Sequence, residues 1–172
     1  VKLYRGTFTG VRKFWSQCNK AINMMLDGAY DVALPFDGVG LVRTGRDPLF
    51  NDSGILLPSG FYIKYPDLQK DAEGEITYRD GNTRAKLFGG KVCENIVQAV
   101  AAGIMRTQRT ELHKRYPVAL CTHDELGSMV PEGEEEQYIA YAKEVMTRPL
   151  DYLPGLPMGV ETHTAIRYGD AK

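Results

Sequence analysis

From Phe8 onward the apolar residues recur at Phe8, Val11, Trp15, Cys18, Ile22 and Met25. Steps that alternate between three and four put them on one side of a 3.6-residue helix. Gly28, just past the last of them, suits the left-handed cap that ends many helices. Trp15 and the Met24–Met25 pair are read as core packing. Between residues 30 and 80 the pattern changes. Short apolar runs broken by Gly, Pro and Asp, YDVALPFDGVGLVRTG and GILLPSGFYIKYP, predict strands and turns rather than helices. DAEGEITYRDGN predicts a hairpin that turns at Asp80-Gly81. Gly38-Val39-Gly40 is a fragment of a glycine-rich pattern, too short to assign a nucleotide role.

A long helix is predicted from Lys86 or Lys91 to His113. Val92, Ile96, Val100 and Ile104 lie four apart, and Cys93 and Val97 widen the stripe. At 100° per residue the opposite face carries Lys91, Glu94, Gln98, Ala101 and Met105. Gln98 therefore points away from the apolar side. Its neighbours Ala99, Ala101, Ala102 and Gly103 are small, so another backbone or a ligand can approach that face closely.

The run VALCTHDELGSMV, residues 118–130, reads as two strands joined by a His123-Asp124-Glu125 tip. A third helix is predicted over 132–148, with Glu134, Glu135 and Glu136 in its first turn. Acids there complement the helix dipole, so the cluster is read as helix-start chemistry rather than as a metal site. PLDYLPGLP is a loop leading into a closing strand, 158–165. Short antiparallel strands with segregated helices predict an α+β fold. The strands around 118–130 and 158–165 are expected to share one antiparallel sheet, with the helices at 86–113 and 133–148 covering one face.

With 172 residues, 43% hydrophobic and 25% charged, the composition is that of an ordinary globular chain. No apolar run approaches a membrane span, and no membrane partner is expected. No signal-type segment opens the chain, and Val1 in place of Met is expected to mark either an artificial start or a cut within a longer protein. Cys18, Cys93 and Cys121 are an odd number without CxxC spacing, read as reduced core residues of a cytoplasmic protein. The net charge of -1 hides a segregation. Residues 79–115 hold eight Lys or Arg against Asp80, Glu94 and Glu111, a formal +5. Residues 1–20 hold five basic residues and no acid, while 131–161 hold seven acids against Lys143 and Arg148. Basic blocks in a near-neutral chain point to a polyanion surface or to plain solvated helix faces.

Two adjacent carboxylates on a hairpin tip suit a hard cation, because Mg2+ takes oxygen ligands and keeps several waters. In two-metal phosphoryl transfer a few carboxylates on rigid elements suffice. The strands would fix the backbone while the turn exposes the side chains, and His123 could hydrogen-bond a phosphate or a terminal sugar.

Gly89-Gly90-Lys91, Glu94-Asn95, Gln98 to Ala101, a strand, and then Thr122 to Leu126 closely resemble the C-terminal part of family A DNA polymerases. The GGKVCENIVQAVA wording resembles their bacteriophage members in particular. YRGTFTGVRKFW resembles the segment after the family's nucleotide-binding fingers helix, and VETHTAIRYGDAK its last strand and tail, so the resemblance spans essentially the whole chain. It implies a palm-type antiparallel sheet, with 1–85 as a fingers-base segment and 86–172 as the palm part. It implies Asp124 as the metal-binding catalytic aspartate and Glu125 as its helper near the second metal. His123 would contact the primer end. Gln98, with Glu94 or Asn95, would hydrogen-bond DNA in the minor groove, while Arg84, Lys86 and Lys91 would hold backbone phosphates. The implied partners are primer–template DNA, deoxynucleoside triphosphates, Mg2+ and the N-terminal remainder of the same polymerase. The setting would be the cytoplasm of a bacterial host carrying a phage or prophage.

The chain also departs from the family. The family's second catalytic aspartate, in an Asp-Tyr-Ser strand, does not occur, nor does the fingers helix with its Lys and Tyr-Gly. Both are expected upstream of Val1. Gly103 stands where the family usually has an acid. Two other readings stay open. One is a metal-dependent nuclease or phosphoesterase using Asp124 and Glu125 together with Glu161 and His163. The other is a non-catalytic nucleic-acid-binding module built on the basic blocks.

Overall fold

A computed structural model of the chain describes residues 6–34, 42–46 and 52–170. It is an α+β fold of small antiparallel sheets and helices, as the pattern predicts. The chain divides into two compact units, 1–100 and 101–172. The Gly38-Val39-Gly40 fragment lies outside the described residues. No helix among the described residues is long and apolar enough to cross a membrane.

In the first unit, α1, Thr9–Leu26, buries Cys18, Ala21, Ile22 and Met25 along one face. Met24 turns outward and is 37% exposed, so only one methionine of the pair is core. Gly28 at φ +75° ends the helix as predicted. The N–H groups of Gly28 and Ala29 donate to the carbonyls of Met25 and Met24, the paired bonds of a Schellman cap. Strands β1 (Ala33–Leu34), β2 (Val42–Arg46), β3 (Ser53–Leu56) and β4 (Tyr62–Tyr65) then form an antiparallel meander in chain order. A second sheet holds β5 (Gln69–Lys70), β6 (Ile76–Asp80) and β7 (Thr83–Lys86). The turn between its last two strands is Gly81-Asn82, one residue beyond the expected Asp80-Gly81, because Gly81 supplies the left-handed φ of +57°.

The helix α2, Gly89–His113, follows. Val92 and Ile96 join Cys18, Ile22, Met25, Ile55, Leu57, Tyr65 and Leu87 in the core of this unit. Val97 instead stands 56% exposed, because the buried stripe runs through positions 92 and 96 and leaves its flank in solvent. Burial pushes the Cys18 thiol up to about 12, so it packs as a neutral small hydrophobe.

One close approach fixes where α2 starts. A Cβ on Gly89 would collide with the Trp15 carbonyl oxygen and crowd the Asn19 side chain at 2.9 Å. Only glycine lets α1 come that near. The Asn19 Oδ1 accepts the Gly89 N–H at 2.6 Å. That N–H is one of the unpaired donors of a helix N-terminus, so α1 caps α2 from outside its own chain segment.

In the second unit, Leu112 on α2 packs with Tyr116, Val118, Tyr138, Ala142 and Val145. Tyr138, Ala142 and Val145 come from α3, Glu135–Thr147. Tyr116 meets Tyr138 edge-on, with centroids 5.2 Å apart, and its hydroxyl donates to Glu134. Buried Gln108 donates to the Met146 carbonyl at 2.9 Å, tying α2 to the end of α3. Strands β8, Val118–Thr122, and β9, Glu125–Ser128, form a two-stranded hairpin. The expected closing strand at 158–165 is not a strand. Its alternation is real, since Met158, Val160 and Thr162 are half-buried between exposed neighbours. It pairs with no described strand, and the β8–β9 sheet stays two-stranded.

Gly89→Ala is expected to destabilise the chain by about 2–3 kcal/mol, because backbone oxygen cannot yield to the added methyl. Asn19→Ala should cost about 1 kcal/mol, and Asn19→Asp, which keeps the acceptor, should recover most of it. Equilibrium urea unfolding of the three variants checks this. A Gly89→Ala protein as stable as its parent would refute the close approach.

Candidate functional site

The hairpin's base is buried and its tip is not. Val118 sits in the core, with Leu126 and Val130 packed against it. His113, at the end of α2, accepts the Val118 N–H on Nδ1 at 3.1 Å, and the Met129 N–H donates to the Pro117 carbonyl. Pairing then runs from Val118↔Ser128 to Thr122↔Glu125, with a register shift between Val118 and Leu120. His123 and Asp124 are the two loop residues, and His123 adopts φ +53°. A non-glycine residue there carries strain, although His tolerates the region better than most. All three residues of the tip are exposed. Cys121, expected in the core, is exposed as well, because it lies on the outer part of the hairpin beyond the buried base.

The two carboxylates are held differently. Glu125 is the first residue of β9, and its Oε2 accepts a hydrogen bond from the Tyr168 hydroxyl at 3.2 Å. Desolvation, and then the neighbouring Glu125 carboxylate, push the Tyr168 hydroxyl above the usual tyrosine range. Asp124 has no hydrogen bond or ion pair to another described residue. A pair of carboxylates fits a hard divalent cation such as Mg2+, and leaves most of the coordination shell to water and other groups. Among the described residues no three His, Cys, Asp or Glu side chains converge as a metal-binding group. Glu161 and His163 thus do not complete one with the tip.

The expected DNA-binding residues of α2 and β7 are held in different ways. Glu94 and Gln98 are exposed and Lys91 is half-buried, as the helical face predicts. They are joined in a chain: the Lys91 Nζ bonds both Glu94 oxygens at 3.1 and 3.2 Å, and the Gln98 Nε2 donates to Glu94 at 3.4 Å. Asn95 is half-buried and donates to the hydroxyl of core Tyr65 at 3.2 Å. Lys86 reaches Glu75 at 3.8 Å across exposed surface. Arg84 is clamped. Its guanidinium bonds the Asp67 carboxylate at 2.5 Å, the Asp67 carbonyl at 2.7 Å, and both oxygens of Thr77 at 3.0 and 3.2 Å. It ties β6 and β7 to the turn at Asp67, whose φ is +50°. Gln98 and the tip belong to different units.

Tyr168 is the residue the sequence reading missed. Only its place in the tail near the last residues could have raised it, and no local pattern marks it as a partner of Glu125.

A DNA polymerase of Bacillus phage SP02 is 33% identical over 173 residues, covering 92% of this chain and 25% of the relative. The chain is related to a phage DNA polymerase. It spans about a quarter of that polymerase's length. No family model matches the chain, and no solved structure does.

His123→Gly removes a left-handed non-glycine residue at the cost of a more flexible unfolded chain. The two effects leave a net gain of about 0.5 kcal/mol. Thermal unfolding should show equal or slightly higher stability. A loss above about 1 kcal/mol would mean that the His123 side chain supports the hairpin.

Proposed function

We propose that the chain is the C-terminal portion of a family A, bacteriophage-type DNA-directed DNA polymerase, with residues 1–85 as a fingers base and 86–172 as part of the palm. The observation that carries the reading is the exposed Asp124-Glu125 pair at the tip of a hairpin rooted in a core, in a chain related over 92% of its length to a phage DNA polymerase. The substrates would be primer–template DNA and deoxynucleoside triphosphates. The setting would be the cytoplasm of a bacterial host.

Two Mg2+ ions, when bound, would activate the primer's attacking oxygen and stabilise the charge on the leaving phosphate. Asp124 offers a carboxylate with no competing partner, and Glu125 offers a second beside it. His123 presents its imidazole at the tip, where a primer end would pass. Gln98 projects from an exposed helix face and would hydrogen-bond the minor groove, with Glu94 holding its amide nitrogen. Lys86 and Lys91 would meet backbone phosphates, which position DNA without reading sequence. Asn95 and Arg84 would support that surface from behind, through Tyr65 and Asp67. The other catalytic aspartate and the nucleotide-binding fingers helix would come from upstream polymerase sequence.

In the full-length parent, Asp124→Asn should lower the rate of nucleotide addition by roughly a thousandfold or more, because several kcal/mol of charge stabilisation is lost. DNA affinity should stay within about threefold, since groove and phosphate contacts supply it. Gln98→Ala should invert the pattern: about 1 kcal/mol of primer–template affinity lost, roughly fivefold, with a milder rate effect. Pre-steady-state extension and DNA titration separate the two. Near-normal extension by Asp124→Asn would overturn the site.

Residues 1–172 alone should show no primer extension with Mg2+ or Mn2+ and all four nucleotides. A two-metal site needs carboxylates on both sides of ions about 3.5–4 Å apart, and this chain supplies one side. Mixing in a separately produced upstream segment should restore extension. Extension by the chain alone would reveal a substitute carboxylate, and hydrolysis of DNA without nucleotide would favour a nuclease.

A further inference from the structure

Asp124 and Glu125 adjoin in sequence, yet only Glu125 is held at both ends. Its backbone is paired with Thr122 in the hairpin ladder. Its Oε2 accepts the Tyr168 hydroxyl at 3.2 Å, from a residue 43 positions downstream. Tyr168 opens a single 3-10 turn, Tyr168–Asp170, closed by the Asp170 N–H on the Arg167 carbonyl. The residue is 60% exposed and belongs to neither hydrophobic core, so packing does not explain its place. What it does contact is the carboxylate beside the unpartnered one.

We propose that Tyr168 is a positioning residue for Glu125. It engages Oε2 and leaves Oε1 as the oxygen available to a divalent cation shared with Asp124. The inference rests on the polymerase reading of the tip. A free glutamate side chain rotates about three bonds, and immobilising it on a metal costs that freedom. A hydroxyl that fixes the carboxylate beforehand removes part of the cost, as outer partners of metal ligands commonly do. The contribution belongs to metal affinity rather than to the maximal rate. The link also ties residues 168–170 to the hairpin tip, so the tail takes part in the site.

The test uses the full-length parent bound to primer–template. Binding of Mn2+ is followed by the electron paramagnetic resonance signal of the free ion, and extension is measured against Mg2+ concentration. Loss of an outer partner commonly weakens metal binding by roughly 10- to 100-fold, and an exposed partner belongs at or below the low end. Tyr168→Phe should therefore raise the half-saturating metal about three- to tenfold in both measurements. Glu125→Gln should raise it at least as much, and Tyr168→Phe should add nothing on top of Glu125→Gln. Ile166→Ala, a fully exposed residue of the same tail, should change neither value. An unchanged half-saturation in Tyr168→Phe, or additive effects in the double variant, would overturn the inference while Asp124→Asn still abolishes extension. Should Asp124→Asn extend normally, the polymerase reading falls and takes this inference with it.

Discussion

The contact on which the first unit depends is the meeting of Gly89 with α1. Two constraints act at one point. The Trp15 carbonyl leaves no room for a Cβ, and the Asn19 amide oxygen takes the first free N–H of α2. A sterically forced glycine would ordinarily be a poor place to start a helix, because it loses the most backbone entropy. The external cap offsets that cost and fixes the starting residue. Once Gly89 is placed, the phase of the helix is placed too. Val92 and Ile96 turn into the core, while Glu94 and Gln98 turn out. A one-residue change in that start would rotate every side chain by about 100° and bury the polar face.

The second unit solves a different problem, which is how to expose a charged loop without letting it wander. A two-stranded hairpin is marginal by itself in water. Here its base is locked by Val118 in an aromatic core, by the His113 acceptor at the start of β8, and by the Met129 bond after β9. Tyr116 anchors that core by meeting both Tyr138 and Tyr141, with Arg115 lying 5.3 Å over its ring. Burial then falls away along the strands, so the tip combines solvent access with a fixed backbone. Positive φ at His123 closes the loop in two residues and keeps the carboxylates adjacent to the last ladder pair.

Much of this was legible in the sequence, and what was not has definite causes. The two long helices, the Gly28 cap, the strand-rich middle and the exposed Gln98 face all follow from periodicity, which reports faces directly. Periodicity does not report pairing. The stretch 158–165 alternates, with Met158, Val160 and Thr162 half-buried, yet it pairs with no described strand. Nor does residue type report depth: Cys121 and Met24 are core types at exposed positions. Arg84 and Asn95 carry groups suited to DNA, yet the fold engages them with Asp67, Thr77 and Tyr65. Asp67 and Tyr65 lie 17 and 30 residues from their partners, a distance at which local pattern carries no information. The link from Tyr168 to Glu125 was hidden for the same reason.

The formal +5 of residues 79–115 also changes meaning once the fold is known. Lys86, Lys91 and Lys114 each face a nearby glutamate, Glu75, Glu94 and Glu111 respectively. All of these pairs are exposed, and such pairs contribute about 0–1 kcal/mol. A backbone phosphate of DNA carries one negative charge, as a side-chain carboxylate does, but could displace it at little cost because release of the DNA's own counterions adds a salt-dependent gain. Arg84 is different in kind. Its planar fork is matched by the Asp67 carboxylate, two carbonyls and a hydroxyl, and breaking that set would strand several acceptors at once. Within the basic block the three lysines are loosely neutralised at the surface, Arg84 is committed to the fold, and Arg115 lies over the Tyr116 and Tyr141 rings.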